Sequence, residues 1–312
     1  MNKQQSKPAA DVPINGLFLL NKPAGLTSNQ ALQKVKRLFR AKKAGHTGSL
    51  DPAATGMLPL CFGEATKVCA YLLDADKSYR VGARLGEATD TGDADGEVID
   101  TAEVTDLDAY DRRRISRAFV GEIEQVPPMY SALKKDGKRL YELARKGEVV
   151  ERKPRRICIH AIDVVEARGK RLVLRVHCSK GTYIRTLVED LAKAAGTVAH
   201  TASLHRETVG DLDPGRMLDL SGAEAVAEAG IEALRQRLIP ADAALSAWPS
   251  MTVAEADVRR FCGGQSVPGS AVGEAGSSEL VRVYGPQDRF LGIGEQTSGG
   301  FVAPRRIFRL DD

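Results

Sequence analysis

Residues 45–60 read GHTGSLDPAATGMLPL. From Ala44 to Gly63 the only side chain with a full charge at neutral pH is Asp51, in a chain in which 28% of residues are charged. Its neighbours are Gly, Ala, Ser, Thr and Pro, which shape backbone more than they fill a core. Two readings fit. Asp followed by Pro suits a helix N-cap with Pro at the first helical position. A carboxylate kept clear of bulky neighbours also suits a catalytic group facing a cleft. A carboxylate can occupy both positions at once.

Common catalytic motifs do not explain the stretch. A phosphate-cradling loop needs GxxxxGK[ST], and no Lys follows Gly56 at that place. A serine nucleophile elbow needs GxSxG, but Thr47 stands two residues before Ser49. TGDADGEVIDTA imitates a calcium loop. Aligned on Gly96, however, its first ligand position is Thr91 and its twelfth Ala102. The five histidines form no HExxH and show no zinc-ligand spacing. The five cysteines are widely spaced without CxxC, which predicts free thiols in a reducing cytoplasm. Neither a metal nor a cofactor is expected.

The 312 residues suggest two domains, and 43% hydrophobic residues suffice for a core. No run approaches a membrane span, and residues 1–12 read as a loose tail without a secretion signal. The net charge of +4 conceals segregation. Lys34–Lys43 carries Lys34, Lys36, Arg37, Arg40, Lys42 and Lys43 without an acid. Lys134–Arg156 holds ten basic and four acidic side chains. Glu87–Asp111 holds ten acids and no base. Solvated faces explain any single run. Two basic segments around a candidate site favour a polyanionic partner, with the acidic segment turned away from it.

Gly16–Asn21 predicts a strand, and Thr27 or Ser28 a cap for a helix presenting Leu32, Val35 and Leu38. Tyr79–Leu85 predicts a strand and Arg112–Gly121 a short helix. Arg171–Cys178 alternates, with Leu172, Leu174, Val176 and Cys178 on one face. Thr182 predicts an N-cap for a helix with the stripe Ile184, Leu187, Val188 and Leu191, stopped at Gly196. Ala223–Leu238 predicts one further helix. Beyond Ala247–Ser250, short runs such as LVRVY and FLGIG predict a small β domain. Mixing without strict βαβ alternation indicates an α+β fold. Tyr79 in KSYR and Tyr183 and Arg185 in KGTYIR are candidate companions of Asp51. Taken singly, core-edge aromatics and a surface base are equally good readings.

LLNKPAGLTS, GHTGSLDPAATGMLP with GEATK, DKSYR, PPMYSALKKDGKRLYELARKG and HCSKGTYIRTLVEDL together resemble the successive motifs of the TruB family, the bacterial tRNA pseudouridine-55 synthases. The resemblance runs from Gly16 to Arg309. It implies a large mixed central sheet flanked by helices over residues 13–248, a thumb insertion at about 125–151, and a small β-rich PUA-like RNA-binding domain over 249–312. It implies isomerisation of uridine-55 in the T-loop of tRNA by base flipping, without a cofactor, in a cytoplasmic monomer with no obligate protein partner. It leaves room for a tRNA-folding activity beside catalysis. Asp51 matches the family's essential aspartate, Tyr79 the tyrosine that stacks on the target base, and Arg185 the arginine paired with the aspartate. His46, Tyr183 and Leu204 match positions lining the nucleotide site. Lys22 and Pro23 match the motif packed beside the catalytic loop, and Lys22 and the basic position Lys67 are expected to bind substrate.

Overall fold

The computed structural model describes residues 13–104, 109–272, 279–297 and 299–309; the expected tail over 1–12 lies outside the described residues. An eight-stranded sheet forms the larger part. Its strand order is Gly16–Lys22, Thr55–Phe62, Ala199–Val209, Lys77–Leu85, Arg171–Cys178, Arg155–Arg168 and Gly121–Gln125, with Ala44–His46 also paired to Thr55–Phe62. Its neighbouring strands are antiparallel except at one junction, where Ala199–Val209 runs parallel to Thr55–Phe62. At this junction His205 faces Thr55 and Arg206 faces Gly56. Gly56 has φ +101°, and a Cβ there would lie 2.2 Å from the Arg206 carbonyl oxygen. Only glycine lets the two backbones meet this closely.

Alternation along the strands sends side chains to two faces. On Gly16–Lys22, Phe18 and Leu20 join one core while Leu17 and Leu19 join another. The first core packs Tyr79, Val81, Leu174 and Val176 beneath the helices Ser28–Leu38 and Ile184–Ala194. The second helix buries Ile184, Leu187, Val188 and Leu191 as expected. Each such side chain contributes about 1.5–3 kcal/mol by leaving water.

The opposite face of the first strands packs against the C-terminal part, where Phe290, Ile293 and Phe308 meet Leu17, Leu19, Met57 and Cys61. That part is a six-stranded sheet of Val267–Pro268, Phe301–Ile307, Phe290–Thr297, Leu280–Tyr284, Ser250–Thr252 and Ser270–Val272. The same face of the later strands is left open, with Arg80, Arg84, Arg175 and His177 exposed.

Three local expectations need correction. Asp51–Pro52 starts no helix; the chain makes one turn, with the Ala54 N–H donating to the Asp51 carbonyl at 3.1 Å, and enters Thr55–Phe62. The cap of Ile184–Ala194 is Tyr183, because the Thr182 hydroxyl is turned back to the Ser179 carbonyl at 3.0 Å. Ala223–Leu238 is divided into Leu220–Glu228 and Ile231–Arg235 at Gly230, whose φ of +106° leaves helical space.

Candidate active site

Asp51 is held through its neighbours. On one side the Leu50 N–H donates to the Ser28 hydroxyl at 2.8 Å, and that hydroxyl donates to the Leu50 carbonyl at 3.1 Å. On the other, the Pro52 carbonyl accepts from the Gly25 N–H at 2.9 Å and from Lys22 Nζ at 3.2 Å. Lys22 is fully buried and also donates to the carbonyls of Pro23 and Leu26 at 2.8 and 2.7 Å. Burial depresses its amino group to about 8, with Asp51 opposing that shift. The motifs containing Lys22, Pro23 and Ser28 thus fasten the residues on both sides of Asp51.

Arg185 lies on the first turn of Ile184–Ala194 and is buried. Its Nε is 3.2 Å from Asp51 Oδ2. Nη1 donates to the Thr91 carbonyl at 2.7 Å and to Asp93 Oδ2 at 3.1 Å, and Nη2 donates to the Tyr130 carbonyl at 2.7 Å. One guanidinium therefore serves two carboxylates and two loop carbonyls. The expectation that the acidic segment faces away from the site is corrected, because Asp93 is part of it. The Thr89–Gly96 turn delivers that carboxylate because it docks on the start of Ala199–Val209, with Ala94 and Thr201 N–H groups bonded to the Thr201 and Gly92 carbonyls.

The Asp51 side chain is 47% exposed, yet packed atoms surround it on the remaining sides. Burial raises its pKa above the ordinary aspartate value; Arg185 and Lys22 oppose the rise, and Asp93 and Asp95 add to it.

Tyr79 sits on the central strand and is 8% exposed. Burial raises its phenol, the Arg206 charge opposes, and Asp51 is close enough to add to the rise. Tyr183 has its backbone clamped by one side chain: Gln125 Nε2 donates to its carbonyl at 3.0 Å and Gln125 Oε1 accepts its N–H at 2.8 Å. Its phenol is raised mainly by burial. Leu204 pairs with Val81 and packs on the first core. His46 pairs with Leu60; burial and then Arg206 lower its pKa, and its Nδ1 has no partner among the described residues. Lys67 is not brought to this group. Its amino group is paired with Glu64, donates to the Ile307 carbonyl at 2.6 Å and lies 5.4 Å from the Phe308 ring centre. The expectation for Lys67 as a substrate-binding residue is corrected: it joins the large sheet to the C-terminal part.

Arg206 has no signal in the sequence. It is 1% exposed, donates to the Met57 carbonyl at 2.7 Å and the Gly48 carbonyl at 3.2 Å, and stands opposite Tyr79 in the strand register. An Arg within an ordinary alternating strand does not announce such a role. Only its parallel register opposite Gly56 brings it to the Gly48 and Met57 carbonyls on either side of Asp51. Gln125 and Asp93 are likewise invisible in the sequence, since both act across more than 50 residues of chain.

The Asp51 loop leads into the single parallel junction of a mixed sheet. The fold is similar to Cbf5 in an archaeal box H/ACA sRNP Nop10–Cbf5 complex, with TM-score 0.74 at 23% identity over 98% of this chain and 90% of that one. A chain of a Cbf5–Nop10–Gar1 complex gives TM-score 0.74 at 25% identity, over 99% and 91%. Residues 36–184 match the TruB family pseudouridylate synthase N-terminal domain, 185–246 the tRNA pseudouridylate synthase B C-terminal domain, and 249–308 the pseudouridine synthase II TruB C-terminal domain. The tRNA pseudouridine synthase B of Pseudomonas putida strain F1 is 50% identical over 96% of this chain and 97% of its own length. That of Ectopseudomonas mendocina is 51% identical over 94% and 95%, and that of Nitrosococcus oceani 47% over 98% and 98%. The chain belongs to the TruB family of pseudouridine synthases, isomerases that form pseudouridine in tRNA.

Proposed function

We propose that the chain converts uridine-55 in the T-loop of tRNA to pseudouridine, with Asp51 as the carboxylate that acts on the nucleotide. The observation carrying this reading is the Asp51–Arg185 ion pair of 3.2 Å beside Tyr79, on a loop fastened on both sides. In the reaction the C1′–N1 bond breaks, the uracil turns, and C5 bonds to C1′; C5 loses a proton and N1 gains one. Nothing is oxidised or reduced, so no nicotinamide or flavin is required. As the glycosidic bond breaks, C1′ gains cationic character that an ionised carboxylate stabilises or traps. Burial shifts that carboxylate towards its protonated form; Arg185 opposes the shift and aims its oxygens.

The target base must leave its stack, at a cost of a few kcal/mol. Stacking on Tyr79 returns about 1–3 kcal/mol of this. Tyr79 is a fixed floor, held by the strand and Arg206, and its raised phenol stays protonated near neutrality. Tyr183, Leu204 and neutral His46 line the nucleotide site. Lys22 acts by holding the Asp51 loop. The basic segment at 125–151 closes as a thumb on the RNA loop, its cations meeting phosphates without reading bases. The protein works as a cytoplasmic monomer, without an obligate protein partner. The exposed cations of the Lys134–Arg139 hairpin also support opening and re-forming of tRNA, an activity an annealing assay with Asp51→Asn would detect.

The test is Asp51→Asn with an unmodified T-stem-loop. The variant binds RNA like the parent but yields no pseudouridine on nucleoside analysis. Full product formation by that variant, or pseudouridine at another tRNA position, rejects the reading.

A further inference from the structure

The open face of the large sheet carries a side-chain cluster that the Asp51 site does not use. In Arg171–Cys178, Val176 and Cys178 are fully buried, and His177 between them is exposed on the opposite face from Tyr79. On the adjoining strand, Ile159 pairs with Cys178 and Ala161 with His177, so His160 is the extra residue of a β-bulge. Bulges re-aim side chains. Here the His160 ring lies beside that of His177, with centres 4.7 Å apart. Asp76 enters from the third strand side, just before Lys77–Leu85, with its carbonyl held by the Gly210 N–H at 2.8 Å. Asp76 Oδ2 is 3.0 Å from His160 Nε2. One ligand atom from each of the three residues lies within 4.8 Å of the other two.

We propose that Asp76, His160 and His177 bind a divalent transition-metal ion of the zinc class. Two imidazoles and one carboxylate suit Zn²⁺, Co²⁺ or Ni²⁺, whereas Mg²⁺ and Ca²⁺ require mainly oxygen donors. Zinc–ligand lengths of about 2.0–2.2 Å place tetrahedral donors about 3.4 Å apart. The Asp76–His160 distance is already near that value. Rotation of the exposed His177 side chain supplies the remainder, while paired strands hold the backbone. The second ring nitrogen of His160, Nδ1, is 3.7 Å from Cys158 Sγ. Donation of Nδ1–H to that sulfur leaves the Nε2 lone pair for the metal, the outer hydrogen bond that fixes a ligating imidazole. Binding displaces any proton shared between Nε2 and Asp76. The nearby cation Lys180 is paired with Asp74 at 3.0 Å. Three protein donors leave a coordination position for water or a further ligand. Two of the five histidines in 312 residues meet at this point, which a surface His–Asp pair alone does not require.

Calorimetric titration of the chelator-treated full-length protein with Zn²⁺ tests the site. One equivalent binds, and His177→Ala and His160→Gln each weaken binding roughly tenfold or more. The Co²⁺ adduct shows ligand-field bands without a thiolate charge-transfer band. Both variants retain pseudouridine formation, which certifies their fold because neither residue belongs to the Asp51 site. If one variant fails to fold, the other and the Co²⁺ spectrum of the parent decide. Absence of binding, unchanged affinity in a folded variant, or a thiolate-bound Co²⁺ spectrum overturns the proposal.

Discussion

The Asp51 loop and the segment 126–151 are both irregular, but they are built in opposite ways. Around Asp51, the residues on either side have their backbones bonded to Ser28, Gly25 and Lys22, and Leu50 and Ala54 are buried. In the second segment, Leu140 and Leu143 anchor a single helical turn, while Lys134, Lys135, Lys138 and Arg139 stand in water. Their hairpin turns at Asp136–Gly137, both with positive φ, the Asp-Gly pattern of a tight two-residue turn. Arg139 and Arg145 flank the Tyr141 ring at 5.8 and 5.5 Å. A carboxylate that acts on one atom needs placement within a fraction of an ångström. Cations that meet phosphates need charge and freedom to adapt. Backbone hydrogen bonds are concentrated around Asp51, and exposed cations on the hairpin.

The largest effect should come from removing the guanidinium. Arg185→Ala is expected to lower single-turnover rates about a hundredfold or more with little change in filter-binding affinity. Because Arg185 lowers the Asp51 pKa, its loss moves the acid limb of the rate–pH profile upward; an unmoved limb contradicts the pairing. Loosening the loop from below should cost less. Lys22→Met removes three hydrogen bonds to loop carbonyls, and kcat should drop about tenfold with KM nearly unchanged, measured at saturating T-stem-loop. The opposite outcome belongs to the Lys134–Arg139 hairpin. Replacing Lys134, Lys135, Lys138 and Arg139 by Gln should weaken binding while sparing the single-turnover rate of bound RNA. The slope of log affinity against log salt should fall by about one for each phosphate that is no longer neutralised.

The smallest effect concerns stability. Burial raises the Asp51 pKa, so the folded state holds its proton to higher pH than the unfolded chain. Ionised Asp51 therefore weakens the fold at neutral pH, and this penalty disappears as pH falls through its raised pKa. Asp51→Asn should melt slightly above the parent at pH 7.5 by scanning calorimetry, with the difference vanishing in acid. A lower melting temperature at pH 7.5 would mean that the Arg185 pair outweighs burial.

Periodicity and caps are legible in the sequence because they are local. The alternation of Arg171–Cys178, the stripe from Ile184 to Leu191 and the Thr27 cap each involve atoms a few residues apart. The Asp51 stretch is legible for a related reason: its lack of charge and bulk is written in consecutive letters. Asp51–Pro52 is ambiguous because an N-cap and a turn into a strand share that dipeptide, and pairing with distant strands decides between them. The Gly230 break is hidden because a helix pattern tolerates glycine until packing sets its φ.

Composition and local order thus determined which residues could carry charge, fill a core or bend the chain. They also marked Asp51, Tyr79 and Arg185 as candidates. Tertiary structure alone decided that Asp93 shares Arg185 with Asp51, that Arg206 stands opposite Tyr79, and that Lys67 belongs to the C-terminal contact. The physical reason is range. A propensity acts through neighbouring dihedrals, whereas an ion pair or a buried hydrogen bond depends on separations that only the completed sheet register establishes.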